Sequence, residues 1–214
     1  GYGLSGEDPY YNIIDMLMVP ITDNHMRAVS DTLDYYTDME IFPFGVPHMK
    51  EEATLAYYIH GIERVKAKLE ELTGNEITES KLREAISLCN RERELLRQIS
   101  LMRKAHPAPI SSKDFVALNH GSFLADKATM VNILEEVYDE LKRKEPPSSE
   151  GPRILLTGST LASGDNKVID LIENAGGTVV IEEFAEGIRP YWENVNVNGD
   201  LMAALADCYF MRRI

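Results

Sequence analysis

The stretch from Arg153 to Ile181 constrains the fold of this chain more than any other. Arg153-Ile154-Leu155-Leu156-Thr157 has the length and branching of a strand, and Gly158 to Gly164 is a loop of small and hydroxyl-bearing residues. Asn166 to Ala175 then reads as a helix halted by Gly176-Gly177, and Thr178 to Ile181 as a second strand. A helix between two strands carries the chain back to its starting end, so the strands pair in parallel and the class is α/β. A weaker version of the pattern stands near the start. Ile13-Ile14-Asp15-Met16-Leu17-Met18-Val19 and Glu40-Ile41-Phe42-Pro43-Phe44 read as short strands around a helix. Asp23 or Asn24 caps that helix, and Met26, Val29, Leu33 and Tyr36 recur at its period.

Between these patterns the chain is helical. Leu55, Ile59, Ile62, Val65 and Leu69 form one stripe, which ends at Gly74, a residue suited to the left-handed position after a helix. A helix opening after Thr78 carries Leu82, Ile86, Cys89, Leu96 and Ile99 inward and stops before Pro107. Ser111-Ser112-Lys113-Asp114 fits a capping box, and a last helix follows over Lys127 to Arg143. The expected organisation is two Rossmann- or flavodoxin-like parallel-sheet units separated by a helical segment. Residues 1–50 are part of a first α/β domain, 51–145 the helical region, 146–152 a proline- and serine-bearing linker, and 153–214 a second α/β domain, truncated.

Charge removes several functions. The 214 residues hold 22 Lys and Arg against 35 Asp and Glu, a net charge of −13. Nucleic-acid and anionic-membrane binding rest on clustered cations, so neither is expected. No apolar run approaches the roughly 18 residues that would span a bilayer, and no signal peptide is visible. Two cysteines, Cys89 and Cys208, cannot build a disulfide framework and fit a reducing cytoplasm. Both read as packed thiols, and no CxxC, HExxH or His-plus-Cys cluster occurs. The chain begins at Gly1 rather than Met, as a piece of a longer protein would.

In open α/β sheets ligands bind beyond the carboxyl ends of the strands, which selects three segments. Val19-Pro20-Ile21-Thr22-Asp23-Asn24-His25-Met26-Arg27 is either a substrate loop or a plain helix cap. In the first reading Thr22 and Asn24 supply hydrogen bonds, His25 or Asp23 moves protons, and Arg27 adds charge. Thr157 to Gly164 suits the approach of a phosphate, carboxylate or thioester to backbone amides through Ser159 and Thr160, or is a tight turn. It is neither a Walker A loop nor a GxGxxG fingerprint. Glu182-Glu183-Phe184-Ala185-Glu186-Gly187-Ile188-Arg189 sets carboxylates beside one cation, with Glu183 and Arg189 as candidate ligands of a substrate, and three such acids on a loop are more often simply solvated.

The order of these segments resembles a known family. The strand end Val19 to His25, then Phe42-Pro43-Phe44-Gly45-Val46-Pro47, the helix from Leu69 through Ile86 with Asn90 and Arg93, Arg153 to Ser159, and Ala175 through Arg189 together resemble 2-hydroxyacyl-CoA dehydratase and benzoyl-CoA reductase subunits. In particular they resemble the D-component of 2-hydroxyglutaryl-CoA dehydratase. The resemblance implies a lyase or oxidoreductase of anaerobic metabolism with an acyl-CoA substrate and a homologous second subunit. It further implies a [4Fe–4S] cluster on cysteines and an ATP-dependent activator protein that delivers single electrons. Their placement at strand ends makes Thr22, Asp23, Asn24 and His25, with Ser159 and Thr160, the residues expected to line an acyl-CoA and cluster cavity. The chain departs from the pattern at Thr22-Asp23, where the family has a Cys-Asp pair, and at Ala185, where some members carry Cys. The ligand cysteines are therefore not evident, and the alternative is a cluster-free scaffold or CoA-binding subunit. A sugar- or nucleotide-binding flavodoxin-like module is the third reading.

Overall fold

A computed structural model describes residues 13–145, 147 and 151–212. The elements are β1 (Met16–Ile21), α1 (Asn24–Tyr36), β2 (Glu40–Gly45), α2 (Glu52–Thr73), α3 (Glu79–Met102), α4 (Ser112–Leu124), α5 (Lys127–Arg143), β3 (Arg153–Thr157), α6 (Lys167–Asn174), β4 (Thr178–Glu183), α7 (Arg189–Trp192) and α8 (Leu201–Ala206). A π-helical turn, Asp207–Met211, follows α8. The molecule divides into one unit running to Ile77 and taking back Leu205–Arg212, and a second unit over Thr78–Ala204. Most of the linker expected at 146–152 lies outside the described residues.

Both expected strand–helix–strand patterns form, so the chain is α/β. In the first unit β1 pairs with β2 in parallel, from Met16 opposite Glu40 to Ile21 opposite Gly45. In the second, β3 and β4 are parallel, with an irregularity between Ile154 and Leu155 that sets Leu155 opposite Ile181. Local chemistry sets the helix ends. Asp23, Thr78, Ser111 and Asp126 each accept a first-turn backbone amide through the side chain. Gly74 closes α2 at φ 66°, a conformation that glycine adopts without Cβ strain.

The two units are built unequally. The second has a core of Leu95, Leu96 and Ile99 from α3, Phe115 from α4, and Met130, Val131 and Leu134 from α5, with Tyr191 of α7 at its edge. Each such side chain contributes about 1.5–3 kcal/mol when fully buried, so the α3–α5 packing dominates this unit. The first unit buries Val19, Phe42, Phe44, Cys208 and Phe210. There Tyr58 meets Phe44 edge-on at 5.2 Å and stacks on Phe210 at 4.8 Å between ring centroids.

Several expectations need correction. Val29 and Tyr36 of α1 stay exposed, and the helix buries only Ser30. Small residues and aspartates surround these apolar positions, so α1 lacks the continuous stripe that would be drawn into a core. α2 likewise has no fully buried residue, and Leu69 is exposed. Cys89 is half-buried and Cys208 fully buried. On α3, Asn90 is bound to the segment after α7 in both directions: its Nδ2 donates to the Val195 carbonyl at 2.7 Å, and its Oδ1 accepts the Val195 amide at 2.9 Å.

Candidate functional site

Parallel strands aim their last residues at one end of the sheet, and in the first unit that end is open. Ile21-Thr22-Asp23-Asn24 leaves β1 as Gly45-Val46-Pro47-His48 leaves β2. With Arg27 of α1 and Thr54, Tyr57 and Arg64 of α2 they line a cleft of about 670 Å³. That volume lies within the usual range for small-molecule sites. A further hollow of about 420 Å³ lies in the second unit beside Ser111 and Thr178, at the amino end of β4. There Glu173 already accepts the Ser112 amide at 2.9 Å, and this end of a parallel sheet is not where ligands usually bind.

The cleft contains Thr22, Asp23, Asn24 and Arg27, four of the five first-unit residues anticipated from sequence. Asp23 turns its carboxylate onto the start of α1, where Oδ1 accepts the amides of His25 at 2.8 Å and Met26 at 3.0 Å. Thr22 Oγ1 donates to Asp23 Oδ2 at 3.3 Å. The Met26 amide, with smaller help from the His25 amide and the Thr22 hydroxyl, holds the Asp23 carboxyl below the usual carboxylate range. Asp23 is thus an anion and a cap, and a weak base. The helix-cap reading of this loop is realised, and it leaves Thr22 and Asn24 on the cleft wall. His25 is not on that wall. Its side chain is 99% exposed, with Nδ1 3.6 Å from Asp23 Oδ1.

Tyr57 and Arg64 were not singled out from sequence. They stand seven residues apart on α2, two helical turns, so one helix face carries both. That spacing was the available signal, concealed because the surrounding charges read as ordinary solvated surface. Gly45 lets Tyr57 in: a Cβ at position 45 would lie 2.2 Å from the phenol oxygen. Arg64 sits over the Phe42 ring at 5.1 Å.

The second unit presents the same strand ends in a closed state. Glu183 accepts from Arg189 Nε at 2.8 Å and from Thr157 Oγ1 at 2.9 Å, contacts that hold its carboxyl below the usual range. Thr160 Oγ1 donates to Glu186 Oε1 at 2.6 Å, and the Leu161 amide to Glu186 Oε2 at 3.1 Å. The Leu161 amide, a candidate for holding a thioester oxygen, is therefore already engaged by a protein carboxylate. Ser159 stands exposed. Glu182 corrects the expectation of a solvated acidic cluster. It is 1% exposed and forms a two-point pair with Arg103, Nη1 to Oε1 at 2.5 Å and Nη2 to Oε2 at 2.9 Å. Arg103 lies over Phe115 at 3.7 Å and also donates to Ser100 Oγ at 3.1 Å. Tyr191 donates to the same hydroxyl at 3.1 Å, and burial pushes its phenol up to about 12.

A family model described as "2-hydroxyglutaryl-CoA dehydratase, D-component" matches residues 1–213. The chain belongs to this family. It is 29% identical to the Escherichia coli (strain K12) protein named "Putative dehydratase subunit YjiM", over 98% of this chain and 55% of the relative. It is 23% identical to the (R)-phenyllactyl-CoA dehydratase beta subunit of Clostridium sporogenes, over 88% of this chain and 50% of the relative. It is also 23% identical to a benzoyl-CoA reductase subunit of Thauera aromatica, over 76% and 42%. The chain thus spans about half the length of the curated relatives it matches.

Membership in this D-component family raises the question of an iron–sulfur cluster, which needs accessible thiolates. Thr22 offers a hydroxyl where the resemblance expects sulfur, Cys208 is fully enclosed, and Cys89 packs on α3 within the second unit. No group of three or more His, Cys, Asp or Glu able to hold a metal occurs among the described residues. The described cysteines do not fit a cluster. Among the described residues no helix is long and apolar enough to cross a membrane.

Proposed function

We infer that this chain is part of a subunit of a 2-hydroxyacyl-CoA dehydratase or a related aryl-CoA reductase, and that its contribution is to bind the acyl-CoA. The observation that carries this reading is the open polar cleft at the carboxyl ends of β1 and β2, in a chain that matches the D-component family over residues 1–213. Thr22 and Asn24 offer hydrogen bonds to the acyl-CoA. Asp23 fixes the loop as an acceptor, and His25, open to solvent two residues on, is the group able to exchange a proton with a ligand reaching past the cleft. In the second unit Ser159 stands exposed, and Thr160, Glu183 and Arg189 hold a ligand only if it displaces their present partners. Each two-stranded sheet is read as part of a Rossmann- or flavodoxin-like unit. The reaction places the protein in the cytoplasm of an anaerobic metabolism, as a dimer with a homologous second subunit and with an ATP-dependent activator. The iron–sulfur chemistry is assigned to thiolates other than Cys89 and Cys208.

The cluster-free reading, a scaffold or CoA-binding subunit, is favoured by one observation, the hydroxyl of Thr22 at the strand end where the family carries a cysteine. Two measurements on the anaerobically assembled complex separate these readings. Loss of turnover in a Thr22→Ala, His25→Ala variant supports a substrate role for the loop, and full turnover removes it. Iron and acid-labile sulfide in the separated subunit favour the redox reading, and their absence the cluster-free one.

A further inference from the structure

The first-unit cleft is charged against the sign of the molecule. In a chain of net charge −13, its lining includes one carboxylate, Asp23, and two guanidinium groups, Arg27 and Arg64. Asp23 spends its oxygens on the α1 amides and on Thr22. The other described arginines each donate to an oxygen of a carboxylate, a carbonyl or the Asn90 side chain. Arg27 and Arg64 have no such acceptor among the described residues, and Arg64 is steadied only by the Phe42 ring. The Tyr57 hydroxyl, admitted over β2 by the missing side chain of Gly45, likewise has no acceptor among the described residues. Three unspent donors thus line a single cleft. Guanidinium forks match the oxygens of a phosphate with two parallel bonds, and two forks balance the charge of a diphosphate better than that of one carboxylate.

We propose that Arg27 and Arg64, with the Tyr57 hydroxyl, form a phosphate-recognition subsite of the β1–β2 cleft, holding the diphosphate of a nucleotide-bearing ligand. The subsite stands on the cleft alone, and it rests on the function proposed above only in taking that ligand to be a CoA thioester. It assigns the cleft to the phosphate-bearing end of the molecule and directs the acyl end along the strand-end loop toward Thr22 and Asn24.

The test is calorimetric titration of the full chain with sodium diphosphate, CoA and pantetheine, the last lacking phosphate. Diphosphate and CoA bind the unaltered chain, more weakly as salt rises. Arg27→Gln and Arg64→Gln each weaken both by about tenfold, and the double variant by about a hundredfold, while pantetheine is indifferent to either change. Arg64→Lys keeps the charge without the fork and recovers only part of the loss. Both arginines are exposed, so circular dichroism of the variants should match the unaltered chain. Undiminished diphosphate binding by a folded double variant overturns the subsite, as does absence of diphosphate binding to the unaltered chain. Arginine-dependent binding of diphosphate without binding of CoA supports the subsite and removes the acyl-CoA reading. Equal binding of CoA by the unaltered chain and the double variant keeps that reading and removes the subsite.

Discussion

The two strand ends of this chain start from the same materials and spend them differently. Both follow a parallel strand with a hydroxyl, a carboxylate and a nearby arginine. In the second unit the groups satisfy one another: Thr157 and Arg189 saturate Glu183, Thr160 and Leu161 occupy Glu186, and Arg103 holds Glu182 out of water. In the first unit one carboxylate is consumed by a helix cap, while the two arginines and the tyrosine hydroxyl face solvent with no protein acceptor among the described residues. Residue types at a strand end therefore do not tell a binding loop from a structural one. What differs between these two loops is the hydrogen-bonding capacity left unspent within the protein, and that depends on partners distant in sequence.

The comparison breaks most readily at Glu182. Removing one member of a buried ion pair strands the other, so Glu182→Ala should cost about 3–5 kcal/mol in chemical denaturation of the second unit. Glu183→Ala, one residue along but on an exposed pair, should leave the midpoint within error. Equal effects would mean that the second-unit strand end is not organised around the Arg103 pair. Next in size, Tyr191→Phe removes the bond to Ser100 and should cost about 1 kcal/mol in the same assay.

The first unit should yield smaller changes. Asp23→Ala deletes a helix cap and should lower the melting temperature by about 2–4 °C, whereas Asp23→Asn, which still accepts the amides, should retain most of it. The two variants also differ with pH. The folded carboxyl of Asp23 lies below its ordinary value of 3.8, so its contribution is complete above that value and is lost as pH falls through the lower folded value. Asp23→Asn should flatten that acid limb, and an unchanged limb would deny Asp23 its capping role. His120, in the second unit, works at higher pH. Burial holds it below its ordinary 6.5, so the unfolded chain protonates first and stability declines as pH drops below about 6.5. His120→Gln should remove that decline in a pH series of melting curves.

Much of the fold was legible because its signals are local. Thr78, Gly74 and Ser111 mark helix boundaries within a few residues of themselves, and both strand–helix–strand patterns follow from apolar runs broken by glycine and polar loops. The candidate site was half legible. Asp23 announced its cap because its partners lie two and three residues away. Arg103 and Glu182 are 79 residues apart, and nothing near either one indicates the other, so the acids on that loop read as solvated. Tyr57 and Arg64 escaped for a different reason, since a polar helix face against a strand end has the same pattern as one against water. The exposed Val29 and Tyr36 show the converse failure, in which helical spacing was present without enough apolar neighbours to draw α1 inward.

The doubly bonded Asn90 sets a demand on chemical alphabet. One short side chain must give a proton and accept one at a fixed reach, as a peptide group on an adjoining strand would, and among the encoded side chains only a primary amide does both with a peptide's own atoms and spacing. Aspartate at this position would face the Val195 carbonyl with no proton to offer, leucine would leave both main-chain groups unanswered, and glutamine would overshoot by one methylene. Residue 90 therefore works as a single letter of backbone spelled in a side chain, clasping a loop to a helix where no strand is available to do it.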